Sequence, residues 1–132
     1  MKRILTIVSC VMVLFTISSC TKQYVTPNPN VSEIFTVDPS AWTLYTTDNK
    51  SYMASIPVSD ISSDFANYGG VIVAISYSDG VYEQIPEVYN GTSFSFTYNN
   101  GNVTIYAQSP DGNTPIAPTQ TLKVKITLVA TN

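Results

Sequence analysis

Few residues in this chain are suited to catalysis. There is no His among its 132 residues, which removes the commonest general base, the middle member of a Ser-His-Asp triad and the commonest zinc ligand. Its two Cys stand at positions 10 and 20. Glu83 and Glu87 are spaced as a carboxylate pair that a glycosidase could use, and Asp111-Gly112-Asn113 carries oxygen donors suited to Ca²⁺. Simpler roles account for both. Two glutamates near a turn are ordinary surface residues, and the Asp111 run lacks the repeated acidic spacing and closing Glu of a calcium loop. A Gly-rich phosphate loop, a Gly-x-Ser-x-Gly elbow and a Cys nucleophile beyond position 20 are all missing. The expectation is no catalytic residue, no metal, no cofactor, and a chain that is not an enzyme.

Aromatic side chains are the stronger candidates for contact with a ligand. All nine Tyr follow Cys20, and Tyr77, Tyr82 and Tyr106 fall at strand positions outside the expected core. An exposed aromatic row stacks on sugar rings or anchors a protein partner. Cross-strand packing, for example of Tyr77 on Tyr82 across Asp79-Gly80, explains the same residues without a ligand. Six Lys+Arg stand against nine Asp+Glu, with a pI near 4.5 and no basic run. Nucleic acid is therefore excluded as an expected partner.

Residues 1–19 read as an export signal. Lys2 and Arg3 precede an apolar stretch over 4–17, which is shorter than the roughly 20 residues that cross a hydrocarbon core. Ile17-Ser18-Ser19-Cys20 then resembles a bacterial lipobox, whose Cys becomes an acylated N-terminus. Cysteine arithmetic favours the same outcome, because Cys10 leaves with the signal and Cys20 is otherwise a lone thiol in an exported domain. Several acyl chains at roughly 0.8 kcal/mol per buried methylene make an effectively permanent membrane anchor. Removal of 1–19 also takes Lys2 and Arg3, leaving four Lys against nine acids and a net charge of about −5. Residues 20–32 then form the lipidated N-terminus and a polar, Pro-containing tether, and 33–132 form the domain.

The elements that position these residues are strands. Short alternations of Thr, Val, Ile, Tyr and Ser bounded by Gly, Asn, Asp and Pro predict an all-β domain. In 93–108, Phe94, Phe96 and Tyr98 alternate with polar residues, Asn100-Gly101 follows, and Val103, Ile105 and Ala107 alternate again. A two-residue type I′ turn there pairs Tyr98 with Val103, Phe96 with Ile105 and Phe94 with Ala107, placing every apolar residue on one face. Asp79-Gly80 predicts a second hairpin between 70–78 and 81–85, its first strand central and covered on both faces. At Asn90-Gly91 a tight turn would put Glu83 and Glu87 on the face of Phe94, so Pro86 is read as ending the strand and leaving 86–92 as a loop. The 122–130 segment predicts a long strand with Lys123 and Lys125 guarding an edge, preceded by a Pro-rich crossover over 109–119. Further strands are expected over 42–46, 51–56 and 34–37, and a short helix over 60–67 capped by Ser59. The sum is an immunoglobulin-like β-sandwich of about seven strands with one short helix.

The lipobox, the brief tether, ANYGGVIVAISYSDGVYEQIP at 66–86, FSFTYNNGNVTIYA at 94–107 and KVKITLV at 123–129 together resemble the small uncharacterised β-rich lipoproteins of Bacteroidota. That resemblance implies lipid anchoring to the outer membrane and supplies no catalytic residue. In that group acidic residues after the lipidated Cys accompany surface export. Here Thr21-Lys22-Gln23-Tyr24 departs from the pattern, so the periplasmic side is expected and surface display stays open. The expected function is a non-enzymatic envelope domain that binds a protein, peptide or glycan. The alternatives are an assembly subunit acting through a strand edge and, behind it, a hydrolase.

Overall fold

The computed structural model describes residues 30–77 and 80–131. The signal 1–19, Cys20, the tether as far as residue 29 and Asp79 of the expected second hairpin turn lie outside them.

Alternation of apolar and polar residues builds two antiparallel sheets. The first is ordered β1 (Val31–Val37), β9 (Leu122–Val129), β4 (Gly70–Ser76) and β5 (Glu83–Ile85). The second is ordered β2 (Thr43–Leu44), β3 (Tyr52–Pro57), β8 (Asn102–Gln108), β7 (Thr92–Asn99) and β6 (Glu87–Tyr89). Their inward faces share one core, with Val73, Ile75, Ile85, Val124 and Ile126 from the first sheet meeting Ile56, Phe94, Val103 and Ile105 from the second. Each fully buried aliphatic or aromatic side chain contributes about 1.5–3 kcal/mol to this packing. The domain is all-β, packed as a sandwich, with one short helix, α1 (Ser63–Tyr68).

The β7–β8 hairpin has the register expected from sequence: Phe94↔Ala107, Phe96↔Ile105, Tyr98↔Val103 and Asn99↔Asn102. Gly101 takes φ +78° in the turn, a conformation that favours glycine. Its backbone is clamped by the segment before the helix, Val58 N–H donating to Gly101 O at 2.9 Å and Gly101 N–H to Ile61 O at 2.6 Å. Ile61 is fully buried and its carbonyl is committed to that turn. The helix therefore starts later than expected, at Ser63 and not at residue 60. Its cap is Ser62, whose Oγ accepts from Phe65 N–H at 3.1 Å, and not Ser59.

Other expectations are corrected by the pairing. Among the described residues nine strands stand where about seven were expected, and the first begins at Val31, two residues before the predicted domain start. The final strand is not an edge: β9 lies between β1 and β4, and Lys123 and Lys125 project from its outer face. Lys123 Nζ donates to Thr36 Oγ1 at 2.9 Å. The strand at 70–76 is interior to its sheet, but one face is only partly covered, with Ala74 buried and Ile72 41% exposed. Residues 86–92 are not a loop. Pro86, which has no N–H for a ladder, separates β5 in the first sheet from β6 in the second, and Asn90-Gly91 makes the tight turn to β7. The expected crossover is present, carrying the chain from β8 in the second sheet to β9 in the first.

Candidate functional site

Pairing of Val73 with Ile85 and of Ile75 with Glu83 is one residue out of step with a two-residue turn at Asp79-Gly80. In a strand one step reverses every side chain. Tyr77 therefore does not meet Tyr82, as the hairpin reading expected. It continues the inward series Val73, Ile75, while Tyr82 lies on the outer face with Lys125 Nζ 4.2 Å from its ring centroid.

Released from Tyr82, Tyr77 stacks on Tyr89 of β6, with ring centroids 5.1 Å apart and planes 19° apart. The Tyr77 ring also meets Phe94 edge-on at 6.3 Å, and Phe94 meets Trp42 at 6.5 Å. An aromatic chain thus runs from the core to the surface. Burial, and then the neighbouring Tyr89 phenol, push the Tyr77 hydroxyl above its ordinary range. At pH 7 the Tyr77 hydroxyl is a neutral hydrogen-bonding phenol.

The tyrosine stack forms one wall of a cleft of about 290 Å³. Asn90 of the β6–β7 turn, Thr92 at the start of β7 and residues 116–120 of the crossover complete it. The crossover is held in shape by its first half. The Asp111 carboxylate accepts from Ser109 Oγ and from Asn113 N–H, Thr114 N–H donates to Ser109 Oγ at 2.9 Å, and Ser109 N–H donates to Thr114 O at 2.8 Å. The Ser109 hydroxyl, followed by the Asn113 amide, holds the Asp111 carboxyl below its ordinary range. Asp111 is thus engaged in its own turn, the local role that short acidic side chains commonly fill. Pro118, on the cleft wall, is buried.

The two glutamates are brought together. Glu83 pairs with Ile75 and Glu87 with Phe94, so both occupy inward positions at the edge where the sheets part. Partial burial, a hydrogen bond with Glu87 and the Glu87 charge, in that order, push the Glu83 carboxyl above its ordinary range. The pair is absent from the lining of the tyrosine cleft.

Of the three predicted contact tyrosines, the structure places only Tyr77 in the cleft. Tyr82 is on the outer face of the first sheet, and Tyr106 is on the outer face of the second, edge-on to Tyr45 at 5.5 Å. Cys20 lies outside the described residues. Sequence reasoning missed Tyr89 and residues 116–120. Tyr89 was recoverable, since a two-residue turn at Asn90-Gly91 puts it on the face of Phe94. The crossover wall leaves no periodic signal.

Among the described residues no helix is long and apolar enough to cross a membrane, and no group of three or more His, Cys, Asp or Glu could hold a metal ion. No family model, curated protein or solved structure matches this chain.

Proposed function

We propose that this chain is a non-enzymatic, lipid-anchored domain of the bacterial cell envelope that holds a protein, peptide or glycan in the cleft beside Tyr77 and Tyr89. The observation that carries the reading is the cleft itself. It combines stacked tyrosines with the amides of Asn90 and Gln120 and the hydroxyl of Thr92. A concave site with aromatic and uncharged polar groups fits a neutral ligand that stacks and hydrogen-bonds.

The lipobox Ile17-Ser18-Ser19-Cys20 supports acylation at Cys20 and anchoring to the outer membrane, facing the periplasm. Two antiparallel sheets with the chain passing repeatedly between them support an immunoglobulin-like sandwich in the broad sense. Printed arrays of neutral oligosaccharides and of peptides, probed with wild type beside Tyr89→Ala, test the cleft. Capture is expected to fall at least fivefold in the variant, consistent with loss of an aromatic contact of about 0.5–1.5 kcal/mol together with its buried area. Equal capture by both proteins sinks the reading. Intact mass of membrane-fraction protein tests the anchor, with acyl mass on residues 20–132 in wild type and none in Cys20→Ser.

An assembly role through a strand edge has one observation in its favour. β1 is an outer strand of seven residues with neither Pro nor Lys, and Ile34 is 59% exposed. Such an edge accepts another strand by β-augmentation.

A further inference from the structure

Among the described residues the two sheets end in four edge strands, and three of these are short. β2 has two residues, and β5 and β6 have three each, with Pro86 between them. β1 is the fourth. Its seven residues pair with β9 without interruption, from Val31↔Leu128 to Val37↔Leu122. It carries no Pro, Lys or bulge, the devices by which an edge ordinarily refuses another strand.

The side chains of β1 alternate between two faces. Val31, Glu33, Phe35 and Val37 lie on the core side, where the first three border an opening at the sandwich edge that Val58, Asp60 and Leu128 also line. Ser32, Ile34 and Thr36 lie on the outer side, Ser32 Oγ 2.8 Å from Thr127 Oγ1 and Thr36 Oγ1 accepting from Lys123 Nζ. Val31 is 40% and Ile34 59% exposed.

We infer that β1 pairs antiparallel with β1 of a second copy of this chain, about a two-fold axis at Ile34, joining the two four-stranded sheets into one. The inference rests on the strand-edge reading above and names its partner. Opposite residues of antiparallel strands point to the same face, so the core-side set must meet itself, and the axis must pass through a residue and not between two. An axis at Glu33 sets two carboxylates directly opposite, which destabilises the pair. An axis at Phe35 leaves Val31 and Ser32 without partners. An axis at Ile34 pairs the whole strand: Ile34 with Ile34, Val31 with Val37, Ser32 with Thr36 and Glu33 with Phe35. The two Glu33 residues are then diagonal, their backbones roughly 7–8 Å apart. Both exposed apolar residues gain an apolar partner, and the free N–H and C=O groups of the edge enter a ladder. The strand is thus complementary in face, length and charge to its own copy.

The test is disulfide capture in the full chain carrying Cys10→Ser and Cys20→Ser, purified in detergent, so that each introduced thiol is the only one present. Under mild oxidation Ile34→Cys is expected to cross-link to its copy, because opposite Cα atoms about 4.5–5.5 Å apart fit a disulfide. Ser32→Cys mixed with Thr36→Cys is expected to give the mixed disulfide, and each alone at least roughly fivefold less product, since neither meets itself in this register. Ile34→Lys in both members of the mixture is expected to suppress the product, and Ile34→Lys in one with Ile34→Glu in the other to restore it, which separates repulsion from misfolding. No cross-linked pair with Ile34→Cys overturns the dimer. Equal yields from Ser32→Cys alone and from the mixture indicate chance collision and also overturn it. The same oxidation in a lysate of the expressing cells distinguishes the two readings. Ile34→Cys joined to a different protein in place of its copy overturns the dimer and leaves the strand-edge reading standing, whereas no adduct of either kind overturns both.

Discussion

Glu83, in the first sheet, and Glu87, in the second, are neighbours across Pro86, the residue at which the chain passes from one sheet to the other. Burial first, and then the Glu87 carboxyl, favour the protonated form of Glu83.

A pH dependence follows with a definite sign. The Glu83 carboxyl is raised above its ordinary 4.5 in the folded state, so the native protein binds more protons than the unfolded chain. Its contribution is complete at pH values below 4.5 and is lost as pH rises through the higher native value. Asp111, held below its ordinary 3.8, acts oppositely, and its contribution is lost as pH falls beneath that value. Thermal unfolding measured from pH 3 to 7 is expected to show Glu83→Gln losing the decline above 4.5. An unchanged profile in that variant would refute the raised Glu83 carboxyl.

At the alkaline end Tyr77 is expected to set part of the limit. Its hydroxyl ionises above 10 in the folded state but at about 10 when unfolded. Stability from this group is therefore full below pH 10 and falls as pH rises through the native value. Denaturant midpoints at pH 9 and 11 should differ less in Tyr77→Phe than in wild type. An equal difference in the two proteins counts against the raised value.

Trp42 is 6% exposed, and its Nε1–H is buried with no hydrogen-bond partner. Such an orphan costs about 1–3 kcal/mol. Trp42→Phe removes it while keeping an aromatic ring against Phe94, and is expected to stay within about 1.5 kcal/mol of wild type. Trp42→Ala leaves a cavity and is expected to cost about 3–5 kcal/mol. Urea titration distinguishes them, and equal losses would mean that a Phe ring does not replace the packing of the indole.

Gly69 is required for closeness and not for an unusual backbone angle, its φ being −87°. A Cβ there would fall 2.6 Å from the Phe65 ring, which packs on the core. Gly69→Ala is expected to cost about 1–3 kcal/mol. In a Phe65→Ala background the same change should cost less than about 0.5 kcal/mol. Additive losses in the double-mutant cycle would place the strain elsewhere.

The parts of the fold legible in the sequence were those in which turn chemistry and apolar alternation agree. Gly101 alone takes the positive φ, so the turn is not the type I′ expected, but Phe94 with Ala107 and Phe96 with Ile105 hold the register from both sides. At Asp79-Gly80 the turn signal was equally strong, but the neighbouring strand is apolar on both faces. Periodicity there could not detect a one-residue shift, and Tyr77 and Tyr82 were assigned to the wrong partners. The conflict noticed at Glu83 and Glu87 was real, and it was resolved by a change of sheet that no local pattern announces. For the cleft, Tyr77 was legible as a candidate. Its partner Tyr89 and the wall at 116–120 depend on long-range pairing between sheets, which a single sequence does not encode in any window.

The position of β1 also determines how the domain bears load. Val31 lies beside Leu128, and Val37 beside Leu122. Tyr77, following Ser76, which pairs with Lys123, is at the Val37 end. Residue 30 and the cleft are thus at opposite poles of the first sheet. Tension between a restraint upstream of Val31 and an occupant of the cleft runs parallel to the strands. The seven register pairs joining β1 to β9 are then sheared together instead of being peeled apart one at a time, the loading direction in which a sheet resists longest.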